Sequence, residues 1–392
     1  MSQDQLSRRA CLRGAAVGGI NALVATGAGF GVSRAAVADS PRAVALTSKA
    51  NDCASEKIPI TIAGYPYDRV EALIDGRVAV EGCDARFEVS SIGDMNTHIF
   101  SGPQTRVVTE VGLSPFMLAF ANDEFRDYSL LPVFPLRLFR HRSIFVGTDS
   151  GIEKPEDLRG RKVATTGYST TSLIWIRGFL EHEYGVSPQE IEWVISAKDS
   201  SSDKAGARSA QESVVPDDLS ITTGPDGKDE SDMLVDGDVD ALFHAAEPKA
   251  WVQGDPRISR LFTDYRSAER DYFAKTGIFP IMHAVAIRND AVEQHPWLPR
   301  AVFNAYSDAK RLTFEYMQKK AWYLGSLPWF GQEFSETREL MGENFWSYGV
   351  EANRRTLEAL FEYSHEQGLA SRMLTIEELF HPLSLEWDED HA

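Results

Sequence analysis

One short basic segment combines groups that could bind and protonate a carboxylate. Arg137, Arg140 and His141 lie in the sequence Pro-Leu-Arg-Leu-Phe-Arg-His. A guanidinium can hold a carboxylate through two parallel hydrogen bonds, and an imidazole exchanges protons near neutral pH. The segment therefore predicts a carboxylate clamp with an acid–base group beside it. Alternatively, an arginine could face solvent or pair with an acid, and His141 could be a hydrogen-bonded structural histidine.

Two further histidines lie in or directly after predicted strands. His283 lies within an apolar, β-branched run, while His244 and Glu247 follow the short apolar run 240–243. Ligands of open α/β sheets bind beyond the carboxyl ends of the strands. We therefore predict His283 and His141 as the acid–base pair, and His244 and Glu247 as ligand contacts. A structural, hydrogen-bonded histidine is again the alternative.

A hydroxyl-rich loop precedes a predicted helix. Residues 165–172 read Thr-Thr-Gly-Tyr-Ser-Thr-Thr-Ser, and the helix that follows runs to about Tyr184 and stops at Gly185. Backbone N–H groups and hydroxyls at a helix start favour an anion. A capped helix without a ligand is the alternative. The candidate ligand contacts in this loop are Tyr168, Ser169 and Thr170.

The composition excludes several classes of protein. The chain has 392 residues with 40 Lys+Arg and 58 Asp+Glu, a net charge of −18, and no Lys/Arg-rich run. Nucleic acid is therefore not an expected partner. Three cysteines are too few for a disulfide framework, and the histidine spacings typical of metal sites are absent. We therefore predict no metal site.

Strands that alternate with helices must position these groups. This order predicts an α/β architecture with a largely parallel sheet, followed by a helical last hundred residues. A stretch rich in Ser, Asp, Gly and Lys, 198–232, predicts a long, exposed, disordered insertion. The predicted strands are 57–63, 86–89, 143–146, 240–243 and 281–287, and the predicted helices include 68–75 and 353–367, the latter closed by Gly368.

The N-terminus predicts export. Arg8-Arg9 precedes a weakly apolar stretch, 14–32, and the small residues Ala36-Val37-Ala38. This is the layout of a twin-arginine signal peptide, read by the twin-arginine (Tat) export machinery and cleaved after residue 38, with 39–56 as a flexible leader. A retained membrane anchor is the alternative. Outside the cytoplasm Cys53 and Cys83 could form a disulfide or remain two thiols.

A series of motifs resembles one enzyme family, that of 4,5-dihydroxyphthalate decarboxylase. The resemblance runs from about residue 60 to 382, and the order and spacing of the motifs carry it. The motifs are Tyr67-Asp68-Arg69, 132–141, 181–186, 276–283, Leu327-Pro328-Trp329, Met341-Gly342, and Tyr348-Gly349 with Asn353-Arg354.

The resemblance implies a two-lobed fold like that of type II periplasmic binding proteins. Two α/β lobes would be joined by crossover strands near 139–147 and 280–288, with the ligand in the cleft between them. The first lobe would comprise 57–140, the second 141–282, and the return to the first lobe, with the C-terminal helices packed on it, 283–392.

The resemblance also implies a chemistry. Family members remove one carboxylate from a dihydroxylated aromatic dicarboxylate without a redox cofactor, which fits the candidate groups above and adds Tyr67. Gly167 stands where the family has Glu. An exported solute-binding protein that delivers an aromatic or other carboxylate to a membrane permease of an ABC-type uptake system is the alternative, favoured by the signal.

Overall fold

The computed structural model describes residues 57–201, 206–217, 219–323 and 325–389. The strands are β1 Ile58–Gly64, β2 Cys83–Val89, β3 Val108–Gly112, β4 Tyr128–Arg137, β5 Ile144–Gly147, β6 Lys162–Thr165, β7 Glu192–Ile195, β8 Ile221–Thr223, β9 Ala241–Phe243, β10 Ile258–Arg260 and β11 Ile281–Arg288. The α-helices are α1 Glu71–Ile74, α2 Ile92–Phe100, α3 Leu113–Asn122, α4 Thr171–Tyr184, α5 Glu230–Val235, α6 Lys249–Val252, α7 Tyr265–Thr276, α8 Asn289–Gln294, α9 Leu298–Tyr323, α10 Phe330–Met341, α11 Arg354–Glu366 and α12 Ile376–Leu379.

The strands form two mixed sheets. Sheet 1 has the order β2-β1-β3-β11-β4, and sheet 2 has the order β10-β5-β9-β6-β7-β8. β11 is antiparallel to both of its neighbours, and so is β5. Each of these two strands is the first one formed after the chain has left the other sheet. In each sheet, the strand that follows a crossing between the sheets is therefore the one that pairs antiparallel to its neighbours.

The chain crosses between the sheets twice. It leaves sheet 1 after Arg137 and enters sheet 2 at Ile144, and it leaves sheet 2 after Arg260 and returns at Ile281. The expected crossovers, 139–147 and 280–288, end in β5 and β11, and each of these strands belongs to one sheet. Hydrogen-bonded neighbours on both sides hold each strand within its sheet. The crossing is made by the segments before them, 138–143 for the first and 261–280, which contains α7, for the second.

The C-terminal helices contact both lobes. α9 packs on the first lobe, against α1 and β4, as the sequence predicts. By contrast, α11 packs on α4, which follows β6 of sheet 2. Gly178 of α4 makes this close approach possible, because a Cβ atom there would lie 2.0 Å from the ring of Tyr363. The C-terminal helices, expected to pack on the first lobe, therefore contact the second lobe as well.

The described parts of the predicted insertion are built into the second lobe. Ser209, Glu212 and Glu230 are buried, and β8 and α5 lie within this stretch. The prediction of an exposed, disordered insertion is therefore wrong for these residues. The polar composition did not predict this burial because hydrogen bonds within the segment satisfy its polar groups. Ser209, for example, donates to Glu212 through both its N–H and its hydroxyl group.

Part of the export hypothesis concerns residues outside the described ranges. The predicted signal and leader, 1–56, and Cys53 are among them, so the two alternatives for Cys53 and the buried Cys83, a disulfide or two thiols, both stay predictions. Within the described ranges, no helix has the length and apolar character needed to span a bilayer.

His141 is buried in an aromatic cage beside the first crossing. Its ring stacks on Phe179 at a centroid distance of 4.3 Å and also contacts Phe262 and Tyr272. Neither ring nitrogen has a hydrogen-bond partner among the described residues. Burial lowers the pKa of His141 to about 4. The imidazole is therefore a neutral packing group.

This burial predicts a pH dependence of stability. His141 takes up a proton near pH 6.5 when unfolded but only near pH 4 when folded. Stability is therefore full above pH 6.5 and is lost as the pH falls towards 4. We expect His141→Phe to remove about 2 kcal/mol of the stability lost between pH 7.5 and 5, measured by urea unfolding. An unchanged pH dependence of stability in His141→Phe would contradict the assignment.

Candidate active site

A cleft of about 370 Å³ lies at the carboxyl ends of strands from both sheets. Its walls include residues from the first crossing, from β11 and from the described part of the insertion. This is the place at which open α/β folds bind ligands. The polar and charged residues that line it are Tyr65, Tyr67, Arg140, Thr166, Thr170, Thr171, Ser172, Asp199, Ser201, Arg208, Glu212, His244 and His283.

His283 and Glu110 form a carboxylate–imidazole pair on sheet 1. The β11–β3 register places His283 opposite Gly112 and Val285 opposite Glu110. His283 and Glu110 are therefore two positions apart on the same face of the sheet. His283 Nδ1 lies 2.5 Å from Glu110 Oε1. Because this contact uses Nδ1, Nε2 is the ring nitrogen left for a ligand in the cleft.

Two tyrosines complete the surroundings of Glu110. The Tyr67 hydroxyl donates to Glu110 Oε1 at 2.8 Å, and the Tyr65 N–H donates to Oε2 at 3.0 Å. Glu110 is only 1% exposed. Burial and the neighbouring carboxylate raise the pKa of Tyr67 far above its usual range, so the phenol stays a donor. These bonds fix the carboxylate and, through it, the imidazole.

Arg140 is a buried cation in the cleft wall. Its Nη1 donates to the Ala245 carbonyl at 2.7 Å, and its Nε and Nη2 contact the Met282 sulfur at 3.3 and 3.0 Å. Burial lowers the pKa of Arg140 to about 9, so it remains charged at neutral pH. No described carboxylate forms an ion pair with it. Only the more distant charge of Glu269 acts on it, and a buried cation with no carboxylate within ion-pair distance fits an anionic ligand group.

A second polar cluster lies on the sheet 2 side. His244 Nε2 is 3.4 Å from Asp199 Oδ1 and 3.2 Å from Glu230 Oε1. Burial opposes charge on His244, but the hydrogen bond to Asp199 and the Glu230 charge raise its pKa overall. Burial would raise the Asp199 pKa, yet hydrogen bonds led by that from His244 lower it to about 2. Burial raises the pKa of Glu230.

The hydroxyl-rich loop contributes less than predicted. Thr170 lines the cleft just before α4. The Ser169 hydroxyl instead donates to the Gln211 carbonyl, and the buried Tyr168 ring lies against the Arg177 guanidinium at 3.7 Å. Tyr168 and Ser169 therefore hold the loop in place, and the structure does not bring them into the cleft.

Three other predicted residues lie away from the cleft. Arg137 is buried and donates to the Phe279 carbonyl at 3.0 Å. Glu247 forms ion pairs with Arg142 and Arg260. His141 occupies the aromatic cage described above. Of the predicted site residues, the cleft unites Tyr67, Arg140, Thr170, His244 and His283.

Several residues of the site escaped sequence reasoning. Glu110 had a usable signal, because it is an acid inside the β-branched run Val-Val-Thr-Glu-Val. Asp199, Arg208 and Glu230 fall in the polar stretch assigned to solvent, where composition gave no such signal. Arg208 adds a second guanidinium to the cleft, from the chain segment next to Gly167.

Comparison of the amino-acid sequence with known proteins finds two relatives that carry the same name. It is 33% identical over 332 residues to 4,5-dihydroxyphthalate decarboxylase of Comamonas testosteroni, covering 84% of this chain and 98% of the relative. It is 30% identical to the enzyme of the same name from Pseudomonas putida, covering 55% of this chain and 82% of the relative. The family model "NMT1/THI5 like" matches residues 139–211.

The fold has a counterpart among solved structures. A putative periplasmic sulfonate-binding protein SsuA from Methylobacillus flagellatus superposes with a TM-score of 0.51 at 15% identity, covering 84% of this chain and 96% of that one. This match confirms the predicted periplasmic-binding-protein-like fold. From the two sequence relatives, the chain belongs to the 4,5-dihydroxyphthalate decarboxylase family.

Proposed function

We propose that the protein removes one carboxylate from a hydroxylated aromatic dicarboxylate, with 4,5-dihydroxyphthalate as the candidate substrate. The observation that carries this proposal is the pairing, in one cleft, of Arg140, a buried cation with no described carboxylate within ion-pair distance, with the Glu110–His283 pair. The first group suits a carboxylate that is kept, and the second suits a proton transfer. The names of the sequence relatives support the same chemistry.

The reaction needs a proton donor, which the protein supplies, and a source of electron density, which the hydroxyl group of the substrate supplies. Each ring carboxylate has a hydroxyl group para to it, and loss of the hydroxyl proton pushes electron density onto the carbon that bears the carboxylate. That carbon takes up a proton, and its bond to the carboxylate then breaks. The bond electrons restore the aromatic ring as carbon dioxide leaves. The net change is one proton taken up and one carbon dioxide released.

The residues divide this work by position. His283 presents Nε2 to the cleft, and its contact with Glu110 fixes the orientation of the ring, so His283 is assigned as the proton donor to carbon. Arg140 holds the retained carboxylate. Asp199 offers an acceptor for the hydroxyl end of the ring, and His244 lies beside it in the cleft wall. A fixed cation and a fixed donor pair lower the barrier because they need little rearrangement during the reaction.

The proton-transfer assignment predicts a loss of turnover. His283→Gln keeps a hydrogen-bonding shape but cannot exchange protons, so we expect carbon dioxide release from 4,5-dihydroxyphthalate to fall by roughly 10²–10⁴ with little change in affinity. Glu110→Gln should lower turnover in the same direction. His182→Gln, a histidine variant outside the cleft, is the control. Unchanged turnover in His283→Gln would remove this residue from the mechanism.

The carboxylate assignment predicts a difference between two buried arginines. Arg140→Met should cost about 2–5 kcal/mol of ligand binding, measured by calorimetry on folded protein. Arg137→Met removes a guanidinium outside the cleft and should leave the affinity of the folded protein unchanged. Equal affinity in Arg140→Met and wild type would place the clamp elsewhere. Micromolar binding by wild type without any carbon dioxide release would favour a solute-binding protein.

We also propose export through the twin-arginine route, supported by the layout of the N-terminal sequence. Changing Arg8 and Arg9 together to Lys should retain the precursor in the cytoplasm, because the paired arginines are what the export machinery reads. Cell fractionation followed by immunoblotting measures this. Normal export of the double variant would count against the route, and the single variant Arg34→Lys is the control.

A further inference from the structure

We propose that Asp199, Glu230 and His244 form a binding site for a divalent cation in the cleft wall. One ligand atom from each residue can be chosen so that all three lie within 4.8 Å of one another. The imidazole nitrogen Nε2 lies 3.2–3.4 Å from an oxygen of each carboxylate. One imidazole and two carboxylates form a donor set suited to Mn²⁺ or Zn²⁺.

The charge balance of this cluster favours a cation. Glu230 is fully buried, and His244 is 1% exposed. Among the described residues, His244 is the only basic side chain that pairs with Asp199 or Glu230. One imidazole can supply at most one positive charge against two carboxylates. A divalent ion balances both and leaves the imidazole neutral, as a metal ligand must be.

The surroundings hold the three ligands in place. His244 Nδ1 lies 2.9 Å from the Ala246 carbonyl, to which a protonated Nδ1 donates, and 3.0 Å from the Ala246 N–H, which donates to an unprotonated Nδ1. Either contact holds the ring by its Nδ1 edge and leaves Nε2 facing the carboxylates. Metal-ligating histidines are commonly oriented by such a bond. The Ser201 N–H donates to Asp199 at 2.8 Å, and the Ser200 N–H donates to Glu230 at 3.3 Å.

The cluster opens towards the ligand cleft. Asp199 and His244 line the cleft, and Ala245, next to His244, accepts a hydrogen bond from Arg140. Resting on the proposed function, we assign the cation to the hydroxyl end of the substrate. Two vicinal hydroxyl oxygens can chelate one cation: the O–H bond breaks, an oxygen–metal bond forms, and the proton passes to solvent. The resulting phenolate supplies the electron density that decarboxylation needs.

Manganese binding tests the site without reference to turnover. The full chain is stripped with a chelator and titrated with MnCl₂, and free Mn²⁺ is followed by electron paramagnetic resonance. We expect one ion per wild-type chain, and binding at least about tenfold weaker in His244→Gln, Glu230→Gln and Asp199→Asn. Glu247→Gln, which lies outside the cluster, should bind like wild type. Equal binding in wild type and all three cluster variants, or none in wild type, would overturn the proposal.

Two further measurements separate the site from the function. Mn²⁺ should raise the melting temperature of wild type and Glu247→Gln but not of the cluster variants, which also shows that the variants are folded. The catechol probe 4-nitrocatechol should show the absorbance of its doubly ionised form with Mn²⁺-loaded wild type and not with metal-free protein. Metal binding without decarboxylation supports the site and counts against the proposed function alone. Full turnover by protein shown to be metal-free overturns the role assigned to the cation and leaves the proposed function standing.

Discussion

The antiparallel insertion of β11 between β3 and β4 is the interaction on which the cleft depends. This strand brings Met282 and His283 from the far part of the chain to the edge of sheet 1. Its register with β3 sets His283 beside Glu110, although 173 positions separate them in the sequence. Met282 in turn contacts the Arg140 guanidinium. One strand pairing therefore fixes both the proton-transfer pair and one support of the anion-binding arginine.

The cleft separates opposite charges across a small volume. Arg140 and Arg208 supply positive charge, while Asp199 and Glu230 gather negative charge around His244. A ligand with carboxylates at one end and hydroxyl groups at the other matches this polarity. Because Arg140 and Glu230 are buried, these charges are screened much less by salt than charges on the surface. Ligand orientation can therefore be set by electrostatics as well as by shape.

Sequence reasoning succeeded where a local pattern and a chemical type coincide. His283 lies in an apolar strand and His244 follows one, and both reach the cleft. It could not separate Arg140 from Arg137, because only the path of the chain after β4 decides which guanidinium enters the cleft. Asp199 and Glu230 were missed for a different reason. Hydrogen bonds from Ser200 and Ser201 and contacts with His244 hold the half-buried Asp199 and the buried Glu230 in place, and no hydropathy pattern records these contacts.

The two sheets differ in when the growing chain can complete them. All strands of sheet 2 come from the continuous stretch 144–260, whereas sheet 1 lacks its β11 strand until residues 281–288 have been made. Until then β4, a largely buried strand of ten residues, has no partner in its sheet. Pairing β4 with β11 closes a loop of residues 138–280, but the entropy cost of closing a loop grows only slowly with its length. The greater hazard is the unpaired apolar edge, which is open to pairing with other chains during synthesis.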